Sequence, residues 1–229
     1  MATAAWPDVP GKPTVLLPTG ATEQHGPHLP LCTDTVIARA VADRAAALLP
    51  GTCLVAPAVP YGASGEHADF PGTVSLGHDA LHRLLVEAVR SLASWAARVV
   101  VVNGHGGNTA TLDAVVGQLR GEGHDLAWSA CAVPGGDAHA GAAETSVMLH
   151  LAPELVHADR LAAGDTRPLA VLLPELRAHG VRAVSPTGVL GDPTHAEAGE
   201  GRRLVEEMTR TLVARIAAWQ VDGRGRLRP

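Results

Sequence analysis

The stretch Arg98-Val-Val-Val-Val-Asn-Gly-His-Gly-Gly-Asn108 indicates the fold of this 229-residue chain. Its unbroken run of valines predicts a strand that is buried on both faces, because β-branched side chains pack well on either side of a covered sheet. Asn108 is a suitable N-cap for a following helix, which Gly121 would close. A buried strand that leads directly into a helix is typical of a parallel α/β sheet.

Short apolar runs and helical patterns alternate on both sides of this stretch. Further strands are predicted at residues 14–18, 53–56 and 126–132. Apolar side chains recur at helical spacing over residues 34–49, 78–97, 144–151, 168–179 and 198–219. We therefore expect one α/β domain over residues 1–229, with a mostly parallel sheet covered on both faces.

The composition argues against several classes of protein. Hydrophobic residues make up 46% of the chain, enough for a buried core, and the net charge of −5 argues against nucleic acid as a partner. The cysteines include no Cys-x-x-Cys pair, as is typical of reduced residues in the cytosol. The first residues do not resemble a signal peptide, and no segment is long and apolar enough to span a bilayer. We expect a cytoplasmic protein without a membrane partner.

The loop after the first predicted strand contains residue types that bind divalent metals. It reads Glu23-Gln-His-Gly-Pro-His-Leu-Pro and is followed by Asp34. Glu23 and His25 are two positions apart, so their side chains leave the same face of an extended stretch. Carboxylate oxygens and neutral imidazole nitrogens are ligands for zinc, iron and manganese. The alternative is that Asp34 only caps a helix and that His25 and His28 are polar loop residues.

A second loop of this kind follows the valine strand. His105 is flanked by Gly104, Gly106 and Gly107, and glycines let the backbone turn sharply and a ligand approach closely. Ligands of α/β sheets bind at the carboxyl ends of strands, where both loops lie, so we expect His105 to join the residues of the first loop. The alternative is a phosphate loop, although the pattern has neither a Walker lysine nor a dinucleotide fingerprint.

Two further segments contain candidate site residues. Glu144 lies in an otherwise apolar helix, where an ionised carboxylate needs a partner such as a metal unless it faces solvent. His139, in the preceding glycine-rich loop, is a candidate general acid or base, or else a surface histidine. Ser64, Glu66 and His67 could line a substrate pocket or support the metal ligands. Serine catalysis is disfavoured, because no Gly-x-Ser-x-Gly motif is present.

These motifs resemble the creatininase family of metal-dependent amidohydrolases. The matching pieces extend in order along nearly the whole chain, at residues 23–30, 33–34, 66–67, 70–73, 103–108, 139–146 and 188–193. The resemblance implies a three-layer α/β/α sandwich that assembles into a homo-oligomer, a hexamer or a similar ring. It also implies two divalent metal ions (Zn2+ and/or Fe2+, or Mn2+), with Asp34 as the ligand that bridges them. The implied ligands are Glu23, His25, Asp34 and His105.

One position departs from the pattern of creatininase itself. That enzyme takes a carboxylate ligand from two residues beyond the histidine that corresponds to His105. Here this position is Gly107, which has no side chain. Glu144 is therefore assigned as the replacement ligand, as family members with this glycine pattern suggest. The same departure disfavours creatinine as the substrate, because the pocket wall beside the metals must differ.

The finer pattern at residues 61–67, 134–139 and 185–192 resembles a peptidase branch of this family. The resemblance implies that the substrate is a precursor peptide modified by a radical-SAM enzyme, from which a C-terminal Val-Tyr dipeptide is released. Hydrolysis of a small cyclic amide or a formamide is an alternative. Another is a non-catalytic subunit that binds metal and peptide, although an open site with His139 nearby is more than a structural ion requires.

Overall fold

The computed structural model describes residues 1–133 and 135–228. Pro134, the first residue of the predicted motif at 134–139, and Pro229, the last residue of the predicted domain, lie outside the described residues. Within the described part of the chain, no helix combines the length and the apolar character needed to cross a membrane.

The described strands form a parallel sheet. They are β1 (Thr14–Thr19), β2 (Cys53–Val55), β3 (Arg98–Asn103) and β4 (Leu126–Ala130). Their order across the sheet is β2-β1-β3-β4, and each neighbouring pair is parallel. The predicted parallel sheet is therefore confirmed, with strand bounds close to those expected from the apolar runs.

The first three helices alternate with the strands, and the other helices follow β4. They are α1 (Thr33–Leu48), α2 (Gly77–Ala93), α3 (Thr109–Gly121), α4 (Ala142–Leu151), α5 (Leu169–His179), α6 (Val181–Val184) and α7 (Ala198–Ala218). Asn108 occupies the predicted N-cap position of α3, but its side chain makes no capping hydrogen bond. It donates instead to the carbonyl of Gly20 and accepts from the N–H of Ala63, so it ties together the loops that surround the site.

Two hydrophobic cores cover the two faces of the sheet. Leu16 and Val100 point into a core shared with α1, α4 and α7. The neighbouring strand residues Val15 and Val101 point the opposite way, into a core shared with α2 and α3. Successive residues of a strand face opposite sides of a sheet, so the apolar run of β3 serves both cores. The result is the three-layer α/β/α sandwich implied by the family resemblance.

The carboxyl ends of β1 and β3 place two loops side by side. Thr19 is in register with Asn103, and the N–H of Gly104 donates to the carbonyl of Thr19 at 2.8 Å. Gly104 then passes against the first turn of α1, where any Cβ would overlap the carbonyl oxygen of Asp34. Only glycine fits at this contact, so the loop after β3 lies directly against the helix that carries Asp34.

α5 and α6 pack on a third part of the site, the 3-10 turn Gly65–His67. They are held by a small apolar cluster of their own, formed by Leu172, Val181 and Leu190. This cluster is separate from the two main cores. Because α5 packs on this turn, it lies outside the two main cores and forms a wall near the carboxyl ends of β1 and β3.

Candidate metal centre

Glu23, Asp34 and His105 lie together beyond the carboxyl ends of β1 and β3. Each is at most 5% exposed. Nδ1 of His105 lies 3.2 Å from Oε1 of Glu23 and 3.3 Å from Oδ2 of Asp34. One ligand atom from each residue lies within 4.8 Å of the others, so a single metal ion could contact all three. The two loops thus bring these residues together, as expected from their positions at strand ends.

The carboxylate of Asp34 lies between two imidazoles. Its Oδ2 faces His105, and its Oδ1 lies 3.1 Å from Nε2 of His25. His25 belongs to a second group of ligand atoms within 4.8 Å of one another, together with His139 and Glu144. A carboxylate with one oxygen toward each group could contact an ion in either group.

Main-chain carbonyls fix the orientation of both imidazoles. Nδ1 of His25 lies 3.1 Å from the carbonyl oxygen of Glu23, and Nε2 of His105 lies 3.1 Å from that of Ala63. A carbonyl oxygen only accepts hydrogen bonds, so each of these nitrogens carries a hydrogen. The opposite nitrogen of each ring therefore faces Asp34. Metal-binding histidines are commonly held in this way by a carbonyl behind the ring.

The buried charges of the centre compensate one another. Burial disfavours the charged carboxylate of Glu23, but His105 outweighs this effect and lowers the pKa of Glu23 to about 2. Burial also disfavours a charged His25, yet the carboxylate of Asp34 raises the pKa of His25 to about 10. Despite its burial, His105 also has a pKa well above the usual value, because of Glu23 and Asp34. A divalent cation would provide the same compensation.

Several carboxylate oxygens of the centre have no hydrogen-bond partner among the described residues. They are both oxygens of Glu23 and Oδ2 of Asp34, and all three are buried. Buried charged oxygens need a strong partner, and a metal ion is one. The N-cap of α1 is Cys32, and Asp34 makes no capping hydrogen bond, so the interpretation of Asp34 as a simple N-cap is wrong. Carboxylates and imidazoles together suit zinc, iron or manganese.

A side chain at Gly107 has no room beside its neighbours in this chain. A Cβ at this position would overlap Nε2 of His105 and would lie 2.5 Å from the carbonyl oxygen of Ala63. Glu144 reaches the centre from α4 instead, with its Oε2 accepting a hydrogen bond of 2.6 Å from the N–H of Ala140. The carboxylate of Glu144 therefore lies beside His25, although position 107 has no carboxylate.

The predicted substrate-binding residues divide into two kinds. Glu66 borders the cleft above the centre with 34% of its side chain exposed, and burial raises its pKa. Ser64 and His67 are buried against the ligands: the Ser64 hydroxyl lies 3.5 Å from Nε2 of His105, and Nε2 of His67 lies 3.3 Å from Oε1 of Glu23. Burial lowers the pKa of His67 to about 3, so its ring is neutral.

His139 completes the buried cluster. Its Nε2 lies 2.7 Å from the carbonyl oxygen of Gln24, and its Nδ1 faces Oε1 of Glu23 at 3.8 Å. Burial lowers the pKa of His139, and the nearby His25 adds to this effect. At 8% exposure His139 is not a surface histidine. Its neutral ring lies where it could exchange a proton with a substrate.

A cleft of about 870 Å³ leads from the surface to these residues. Its floor contains Glu23, Asp34 and His105, and one wall is formed by Leu173, Leu176 and other residues of α5. The buried carboxylates argue against the phosphate-loop alternative for the glycines around His105, because they would repel a phosphate. The cleft can admit a substrate larger than a single amino acid.

Two features of this site could not be predicted, or were not predicted, from the sequence. Gln24 contacts His67 and His139 through its side chain or main chain, although the sequence predicted no role for it. Its position between Glu23 and His25 was an available signal. The wall formed by α5 had no such signal, because a leucine stripe on a helix usually indicates core packing.

Comparison with known proteins shows what this chain is similar to. The family model for creatininase, described as creatinine amidohydrolase, matches residues 2–216. A protein named mycofactocin precursor peptide peptidase, from Mycobacterium ulcerans (strain Agy99), is 58% identical over 214 residues. This alignment covers 90% of the present chain and 86% of that protein.

Solved creatininase structures have the same fold. A manganese form of creatininase superposes with a TM-score of 0.73 at 28% identity and covers 91% of each chain. A creatininase mutant of Zn–Zn type superposes with a TM-score of 0.74 at 26% identity, again over 91% of each chain.

Proposed function

The chain belongs to the creatininase family, and we propose that it is a metal-dependent peptidase that cleaves the mycofactocin precursor peptide. Relatives are named as peptidases and amidohydrolases, so the chain is a hydrolase that acts on C–N bonds. One observation carries the proposal: Glu23, Asp34 and His105 converge at the floor of a large cleft, with unpaired carboxylate oxygens. The product would be the C-terminal Val-Tyr dipeptide implied by the sequence pattern.

Two groups of side chains would hold the metal ions. Glu23, Asp34 and His105 would hold one ion. His25 and Glu144, which form a group with His139, would hold the other together with Oδ1 of Asp34, which lies 3.1 Å from Nε2 of His25. When bound, two divalent cations supply Lewis acidity, which activates water and polarises the scissile carbonyl. Zinc, iron and manganese all suit these ligands, and we propose that Zn2+ and/or Fe2+, or Mn2+, occupies both sites.

His139 would move the proton that hydrolysis requires. Its Nε2 is bonded to the carbonyl of Gln24, so the free electron pair is on Nδ1, which faces the centre. A neutral imidazole can accept a proton at Nδ1 from the attacking water and then donate it to the departing amine. Peptide hydrolysis requires this transfer, because an amine leaves readily only when protonated.

The cleft supports a peptide substrate better than a small cyclic amide. A ring the size of creatinine would fill only a small part of about 870 Å³. Leu173 and Leu176 offer apolar contacts on one wall, and Glu66 offers an acceptor for main-chain N–H groups. We also propose that the protein is cytoplasmic and assembles into a homo-oligomer, such as a hexamer.

Mass spectrometry of the modified precursor peptide tests the function. We expect metal-loaded protein to shorten the peptide by its last two residues, and the Asp34→Ala variant to leave it intact. Creatinine and a formamidopyrimidine, assayed in parallel, would be turned over instead if the small-amide alternative were right. Peptide binding without any product would indicate the non-catalytic alternative.

A further inference from the structure

Gln24 lies at the centre of a buried hydrogen-bond network, and its amide can adopt only one orientation. Its Oε1 accepts a hydrogen bond of 2.8 Å from the N–H of Gly26. Its Nε2 donates to the carbonyl of Gly188 at 3.1 Å. Because a main-chain N–H only donates and a carbonyl only accepts, these two contacts distinguish the oxygen of the amide from its nitrogen.

The fixed amide determines which nitrogen of His67 carries the hydrogen. Nε2 of Gln24 also lies 2.8 Å from Nδ1 of His67. Since the amide nitrogen is a donor, Nδ1 must accept, and the ring hydrogen is on Nε2. This Nε2 lies 3.3 Å from Oε1 of Glu23. His67 therefore presents an N–H, not an electron pair, to a carboxylate of the metal centre.

The main chain of Gln24 acts on His139 in a comparable way. Its carbonyl oxygen lies 2.7 Å from Nε2 of His139, so this nitrogen carries the hydrogen and Nδ1 carries the electron pair. The 3.0 Å contact between Nε2 of His139 and Nε2 of Gln24 joins two donors. It is therefore not a hydrogen bond. One amide hydrogen of Gln24 is donated to the carbonyl of Gly188 and the other to Nδ1 of His67.

The surroundings leave no room for a different arrangement. Gln24 is 5% exposed. Gly188 has a φ of 82°, and a Cβ at this position would overlap the side-chain amide of Gln24. The loop that contains Gly188 thus closes tightly over the amide. A polar group that is enclosed and fully bonded in this way is well ordered.

We propose that Gln24 is a positioning residue: its side chain sets the tautomer of His67, and its carbonyl sets that of His139. His67 is then held with its N–H toward Glu23, and His139 is held with Nδ1 ready to accept a proton. The catalytic consequence rests on the proposed peptidase function, whereas the tautomers do not. Loss of a hydrogen-bond partner that orients the residues of a metal site commonly lowers metal affinity or activity by about 10- to 100-fold.

Nitrogen-15 NMR of the histidine rings in zinc-loaded protein tests the tautomers independently of activity. We expect the hydrogen of both His67 and His139 on Nε2 in the wild type. In Gln24→Glu, a carboxylate oxygen replaces the amide nitrogen, so the hydrogen of His67 should move to Nδ1. His139 should not change, because a main-chain carbonyl holds it, and it serves as an internal control.

Kinetics on the precursor peptide give the second measurement. We expect kcat of Gln24→Glu and Gln24→Met to fall about 10- to 100-fold, with KM within about threefold and zinc content unchanged. Thr73→Val is the matched control, because it removes only the 3.1 Å bond to the main-chain N–H of Gln24. A wild-type His67 with its hydrogen on Nδ1, or an unchanged His67 in Gln24→Glu, would overturn the proposal. An inactive wild type with the expected tautomers would refute only the peptidase function.

Discussion

The main-chain N–H of Ala140 donates a hydrogen bond of 2.6 Å to Oε2 of Glu144. Ala140 is fully buried with a φ of 52°, a conformation that costs an L-residue roughly 1–2 kcal/mol. The bond to Glu144 thus helps to hold a strained turn between His139 and α4. This turn directs both His139 and Glu144 toward His25.

Glu144→Gln separates the charge of this carboxylate from its hydrogen bond. The amide oxygen can still accept from Ala140, so we expect the melting temperature to stay within a few degrees of the wild type. The loss of charge should reduce the metal content from about two ions per chain to about one and kcat by at least about 100-fold. Elemental analysis and peptide kinetics measure both. Glu154→Gln, at an exposed position, is the control, and full metal content in Glu144→Gln would rule out Glu144 as a ligand.

Gly107→Ala tests the close packing behind His105. The added methyl group would overlap Nε2 of His105 and press on the carbonyl oxygen of Ala63. We expect a loss of about 1–3 kcal/mol in the free energy of unfolding, together with weaker metal binding. Gly106→Ala is the matched control for stability, since a Cβ there meets no atom within 4 Å. Equal stability of the two variants in urea titrations would contradict the packing argument.

Leu173→Asp tests whether the α5 wall contacts the substrate. Leu173 borders the cleft, so a charge there should raise KM for the precursor peptide by about tenfold or more and leave kcat nearly unchanged. Val171→Asp is the control, because Val171 lies on the same helix with 58% of its surface exposed. If both variants raised KM equally, α5 would not be part of the substrate site.

Removal of divalent ions should lower stability as well as activity. Without bound metal ions, both carboxylate oxygens of Glu23 and Oδ2 of Asp34 are buried with no hydrogen-bond partner among the described residues. We expect a chelator to abolish peptide cleavage and to lower the melting temperature by several degrees, with Zn2+ or Mn2+ restoring both. Calorimetry and cleavage assays on the same samples check this. Full activity after verified metal removal would exclude the metal-dependent mechanism.

Most of the secondary structure could be predicted from the sequence, because it depends on neighbouring residues. The valines of β3 and the helical spacing of α7 predicted their elements to within a few residues. The metal-binding residue types were also recognisable, since Glu23, His25 and His105 lie in loops that follow predicted strands. Parallel strands bring such loops to one edge of the sheet, whatever the details of packing.

The orientations of these side chains could not be predicted from the sequence, because they depend on tertiary contacts. Gln24 and Gly188 are 164 positions apart, and no local pattern predicts that the carbonyl of one fixes the amide of the other. The α5 wall likewise arises from a contact between distant segments, since α5 packs on the turn Gly65–His67. The sheet and the types of ligand residue were thus predictable from the sequence, because both depend on short-range patterns. Packing determined the tautomers and the shape of the cleft, because hydrogen-bond partners are chosen only when distant loops meet.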